Sequence, residues 1–69
     1  MRADELKRGM KVRYNGWAYV VFQVLPPDVG NPKRGIEPAC KFQFRTRMDH
    51  FGTTINVKMS PDEEVELLS

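Results

Sequence analysis

The stretch Met10-Lys11-Val12-Arg13-Tyr14-Asn15-Gly16-Trp17-Ala18-Tyr19-Val20-Val21 decides the fold. Apolar and basic residues alternate up to Asn15-Gly16, and this dipeptide is the strongest short hairpin signal because a type I′ turn needs positive φ at both central positions. A two-residue loop pairs Tyr14 with Trp17 and Val12 with Tyr19. Met10, Val12, Tyr14, Trp17, Tyr19 and Val21 then share one face, and Lys11, Arg13 and Ala18 share the other.

Beyond this hairpin, the second strand, Trp17 to Leu25, breaks the alternation, because Val20, Phe22 and Val24 are apolar on the opposite face. This predicts a strand that curves or bulges between the two halves of a small barrel. Pro26 to Pro38 is rich in breakers, and a loop of this length in a compact domain is usually functional or mobile. Next, Cys40-Lys41-Phe42-Gln43-Phe44-Arg45-Thr46-Arg47 alternates with period two. Cys40, Phe42, Phe44 and Thr46 point inward, and Lys41, Gln43, Arg45 and Arg47 form an outward basic row. Asp49-His50-Phe51-Gly52 reads as a turn, and Thr53 to Met59 as a strand with Ile55, Val57 and Met59 inward.

Upstream of the hairpin, Asp4 to Gly9 reads as a single turn closed by a left-handed Gly9. Downstream, Ser60-Pro61-Asp62-Glu63 reads as a helix start, with Ser60 as cap, Pro61 in the first position and Glu63 completing a capping box. A last strand around Val65 to Leu68 closes the set. The expected fold is all-β: a small SH3-like barrel of about five antiparallel strands, with a short helical turn near the C-terminus and one domain over residues 1–69.

Composition limits the function classes. A chain of 69 residues has a small core, and a buried cofactor pocket would compete for the apolar groups that hold the fold together. With Cys40 as the only cysteine, no internal disulfide forms, which predicts a reducing, cytoplasmic setting. The opening residues lack a signal-like apolar run, and no stretch approaches the ~20 apolar residues of a membrane span, so no membrane partner is expected. Residues 1–58 carry all 11 basic groups against five acids, net +6, whereas residues 59–69 carry four acids and no base, net −4. A basic body of this size attracts polyanions, although separated charges also serve as ordinary solvated faces.

Several segments resemble the N-terminal SH3-like, or KOW-like, domain of elongation factor P and its archaeal and eukaryotic relatives. They are Leu6-Lys7-Arg8-Gly9-Met10-Lys11-Val12, the turn at Gly16 with Tyr19 and Val21, the loop Pro32-Lys33-Arg34-Gly35, the basic strand Lys41 to Arg47, and Gly52-Thr53-Thr54-Ile55-Asn56-Val57-Lys58. The resemblance spans nearly the whole chain and implies a translational, ribosome-associated role. That family carries a modified lysine in a glycine-flanked loop tip; the nearest candidate here is Lys33, between Pro32 and Arg34.

The residues themselves point to a non-enzymatic binding module. Lys33, Arg34, Lys41, Arg45 and Arg47 are the candidate phosphate contacts, because Arg45 and Arg47 on one strand would stand about 7 Å apart, close to the separation of successive phosphates. The competing reading pairs these cations with Asp49, Glu37 or the acidic tail. Among Tyr14, Trp17, Tyr19 and Phe51, the small core should claim all but Trp17, leaving it as the exposed stacking platform. The expected partners are RNA, DNA or the ribosome. The alternative is a protein-interaction module, an adaptor or inhibitor that docks through the Pro/Gly loop or a strand edge, acting as a monomer or weak homodimer. Catalysis finds little support. Cys40 is expected inward beside Phe42 as an inert thiol, His50 sits in a turn, and no metal-ligand set or nucleotide-binding motif is present, so neither cofactor nor metal is expected.

Overall fold

The computed structural model describes residues 1–68. Asn15 and Gly16 adopt φ of 51° and 82°, the left-handed pair that lets β1 (Lys11–Tyr14) turn directly into β2 (Trp17–Asp28). Their register pairs Val12 with Tyr19 and Tyr14 with Trp17, and places Lys11 and Arg13 opposite Val20 and Ala18. The alternation read from the sequence is therefore the register of the hairpin. Gly9, at φ 93°, turns the chain into β1 and donates its N–H to the Val21 carbonyl at 2.8 Å.

Three further strands, β3 (Ala39–Arg45), β4 (Thr54–Met59) and β5 (Glu66–Leu67), complete one antiparallel sheet in the order β4-β3-β2-β1-β5. Four strands form a meander and the fifth returns to β1, so the fold is all-β with five antiparallel strands, as expected, in one sheet whose outer strands are β4 and β5. β2 has the predicted irregularity: Val21 pairs with Phe44 but Gln23 with Gln43, so Phe22 is an extra residue. A second irregularity between Leu25 and Asp28 contains Pro26 and Pro27. Proline has no N–H to give a ladder, and a bulge is where a strand tolerates it.

One core cluster holds the fold together: Ala3, Leu6, Val12, Val21, Phe42, Phe44, Val57, Met59 and Val65. Phe42 and Phe44 stack with centroids 5.6 Å apart, and Tyr14 meets Phe44 edge-on at 5.8 Å. Such aromatic pairs add about 0.5–1.5 kcal/mol beyond the area they bury. The N-terminal segment seals one end. A 3-10 turn over Ala3–Glu5 follows backbone bonds from Ala3 N–H to the Glu63 carbonyl (2.9 Å) and from Val65 N–H to the Met1 carbonyl (2.7 Å).

Several boundaries differ from the sequence reading. The helix start at Ser60 is one turn in which the Glu63 N–H bonds the Ser60 carbonyl at 3.0 Å, while the Ser60 hydroxyl donates to Asp62 at 2.6 Å. No capping box forms, because the chain must return at once to pair with the N-terminal segment. β3 ends at Arg45, so Thr46 and Arg47 leave the strand, and Thr46 is exposed rather than inward. The segment 26–38 is largely structured. β2 runs to Asp28, and a 3-10 turn over Pro32–Arg34 caps the hairpin. Among the described residues no helix is long and apolar enough to cross a membrane.

Candidate functional site

The tip of the β2–β3 hairpin is built around Asn31. Its N–H donates to the Ile36 carbonyl at 2.7 Å and its carbonyl accepts from Ile36 and Arg34, both at 3.0 Å. Its side-chain oxygen accepts from the Lys33 N–H at 3.2 Å, capping the Pro32–Arg34 turn. Gly35 ends that turn in the left-handed region, at φ 71°. Gly30, at φ 76°, packs so closely that a Cβ there would lie 2.6 Å from the Ile36 carbonyl oxygen. Backbone bonds therefore hold Lys33 and Arg34 at the far end of the molecule, exposed and, among the described residues, without an ion-pair partner. Val29, 84% exposed, and Ile36, 51% exposed, flank them.

The outward basic row does not exist as a row. Arg45 folds its guanidinium into the β3–β4 connection, donating to the carbonyls of Arg47 (3.0 Å), Asp49 (2.8 Å) and Gly52 (3.3 Å) and to the Thr54 hydroxyl (2.8 Å). Its donors are committed to ordering that connection. Arg47, off the strand, pairs with Asp49 at 2.6 Å and lies 5.7 Å from the Phe51 ring centroid. The two arginines thus do not project side by side at the spacing of successive phosphates, and for Arg47 the competing pairing with Asp49 is what forms. Part of the acidic tail is likewise used internally, Glu66 on Arg13 at 2.7 Å and Glu64 on the terminal ammonium.

Lys41 stays on the outer face, directly opposite Lys58 of β4. Asp28, at the end of β2, reaches both, at 3.6 Å from Lys41 and 2.8 Å from Lys58. The Lys58 hydrogen bond, then the Lys41 charge, holds the Asp28 carboxyl below its ordinary value. Lys58 was not among the residues singled out in the sequence. Its outward position is visible in the alternation Thr54, Asn56, Lys58, but its juxtaposition with Lys41 needs the register of the β3–β4 pair.

Trp17 is 71% exposed, as expected, but Phe51, assigned to the core, is 70% exposed and lies instead beside His50, the ring centroids 4.0 Å apart and the planes tilted by 39°. Trp17 opens β2 and the tip lies beyond its other end, so these 12 residues separate them by about 36 Å of strand. The candidates therefore fall into two groups: Lys33, Arg34 and Lys41 along the projecting hairpin, and Arg45, Arg47 and Trp17 at the opposite end. Cys40 is half-buried against the core, and burial, with the Asp4 charge second, pushes its thiol up. It opens β3, whereas His50 lies beyond the other end of that strand, so the two are not paired. Among the described residues no three His, Cys, Asp or Glu side chains are grouped to hold a metal ion. Compared with protein-family models, with curated proteins and with solved structures, the chain shows no match.

Proposed function

We propose that the chain is a non-catalytic, cytoplasmic binding module that grips the phosphate backbone of nucleic acid with Lys33 and Arg34. The observation that carries this reading is the contrast within one set of cations. Arg45, Arg47 and Lys41 have internal partners, whereas Lys33 and Arg34, without an ion-pair partner among the described residues, are exposed on a turn braced by Asn31, Gly30 and Gly35. A braced backbone needs little further ordering on binding, and phosphate contacts supply most sequence-independent affinity. The resemblance to the N-terminal domain of elongation factor P favours RNA, and ribosomal RNA first.

The test is anisotropy titration of labelled single-stranded and duplex RNA and DNA over a range of salt concentrations. Binding should weaken steeply with salt, and Lys33→Ala with Arg34→Ala should lower the slope by roughly one phosphate each. Binding that ignores this pair, or no binding even at low salt, rejects the reading.

Val29 and Ile36 support a second reading, a protein-docking tip, because apolar groups this exposed beside a rigid turn can serve as interface anchors. On that reading Val29→Ser and Ile36→Ser abolish partner capture, and salt matters little.

A further inference from the structure

Lys41 and Lys58 are direct partners across the β3–β4 ladder, so two lysine side chains leave the outer face from backbones about one strand spacing apart. Like charges directly opposed on a sheet repel. The fold answers with one carboxylate: Asp28 places Oδ2 at 2.8 Å from Lys58 Nζ and Oδ1 at 3.6 Å from Lys41 Nζ. It reaches them because the irregularity between Leu25 and Asp28 shifts the end of β2 relative to β3.

These three side chains remain 39%, 61% and 43% exposed for Lys41, Lys58 and Asp28. Pairs this open to water are worth little each, so an anion of higher charge density can replace the carboxylate. Both lysines line an open groove of about 350 Å3, together with Leu25 and Asn56. Asn56 accepts from Gln43 through its side-chain oxygen at 3.3 Å, which leaves its amide N–H groups as further donors.

We infer that Lys41 and Lys58 form a second anion site at the base of the tip hairpin, filled by the Asp28 carboxylate in the free protein and taken over by a phosphate of a bound nucleic-acid strand. The inference rests on the phosphate-binding reading above. Paired lysines suit this ligand, since flexible point charges can surround a tetrahedral phosphate without the planar match that a guanidinium requires. Asp28 then acts as an internal competitor: it is displaced into solvent, and its negative charge weakens binding wherever it remains nearby.

The experiment measures affinity and salt slope for a fluorescein-labelled single-stranded RNA on the full chain and on variants. The set is Asp28→Asn, Asp62→Asn, Lys58→Ala, Asp28→Asn with Lys58→Ala, and Lys33→Ala with Arg34→Ala. Asp62→Asn removes the same charge elsewhere and sets the baseline. Asp28→Asn should bind about two- to tenfold tighter than that baseline, the equivalent of releasing two exposed ion pairs. Adding Lys58→Ala should cancel the gain and reduce the slope by about 0.7, one single-strand phosphate. If Asp28→Asn gains no more than Asp62→Asn while the tip pair still controls binding, the second site is rejected and the phosphate-binding tip stands. If the tip pair is without effect but the Asp28→Asn gain depends on Lys58, the tip fails and the outer-face site stands. Absence of binding by every variant rejects both. Thermal melts of the same proteins separate these outcomes from loss of fold.

Discussion

The guanidinium of Arg45 lies over the ring of Phe22, 5.2 Å from its centroid. The contact follows from the bulge, because Phe22 is the extra residue of β2 between Val21 and Gln23 and Arg45 is the last residue of β3. An arginine that reads as an outward phosphate contact is thereby a structural bracket between a bulge and a turn.

Arg45→Ala should lower stability by about 1–3 kcal/mol, the scale of a lost set of charged hydrogen bonds, and Arg45→Lys should restore little, since one ammonium cannot reproduce the planar fork. Urea denaturation of the three proteins measures this. A change below about 0.5 kcal/mol for Arg45→Ala, the ordinary range for a surface substitution, would return Arg45 to the list of free cations.

Gly30→Ala should loosen the hairpin tip, because the added Cβ meets the Ile36 carbonyl at 2.6 Å on a backbone at φ 76°. A cost of about 1–3 kcal/mol is expected for such strain. Gly35→Asn should be mild, as nothing lies within 4 Å of a Cβ there and asparagine tolerates the left-handed region. Amide hydrogen exchange at Arg34, Gly35 and Ile36 distinguishes the two: faster exchange in Gly30→Ala and near-parental exchange in Gly35→Asn.

Asp28 and Asp62 both titrate below the ordinary aspartate value, Asp28 through its Lys58 hydrogen bond first and Asp62 through the Ser60 hydroxyl first. A depressed folded-state value means that the stabilisation is complete above the unfolded-state value and disappears as pH falls through the folded-state one. Acid unfolding followed by circular dichroism should therefore be less pH-dependent in this window for Asp28→Asn. An unchanged profile would show that the carboxylate is not held by the two lysines in solution.

The thiol of Cys40, raised first by burial and then by Asp4, should be alkylated more slowly than an unhindered cysteine at mildly alkaline pH, because the thiolate is the reacting form. Asp4→Asn should speed the reaction modestly, and unfolding in urea should speed it strongly. Equal rates for folded and unfolded protein would mean that the β3 end opens readily.

Trp17 is the only tryptophan and is 71% exposed, so its emission should be that of a solvated indole and Trp17→Ala should change stability by less than about 0.5 kcal/mol. Its fluorescence also reports which end of the molecule a ligand uses. RNA bound at the tip alone leaves the emission unchanged, whereas quenching on titration places bases on the opposite end.

The fold was largely legible because its determinants are local. Asn15-Gly16 admits one tight turn, and period-two alternation puts Val12, Phe42, Phe44, Val57 and Met59 inward whatever lies across from them. The crowding of apolar groups on both faces of Trp17–Leu25 required a bulge somewhere, but the sequence could not say that Phe22 was the extra residue. The candidate site was less legible, because the availability of a cation depends on partners distant in sequence. Arg45 turns inward because three backbone carbonyls of the following connection converge on it, and Phe51 is left exposed because the same connection carries it away from the core. Lys41 acquires Lys58 through strand register and Asp28 through a second bulge, whereas Lys33 and Arg34 have no ion-pair partner among the described residues, because the turn that holds them is closed by its own backbone bonds and the Asn31 side chain. Period and turn chemistry are properties of neighbouring residues and can be read along the chain. Charge pairing is decided by which side chains the folded sheet brings within a few ångströms of one another, and only the tertiary structure settles that.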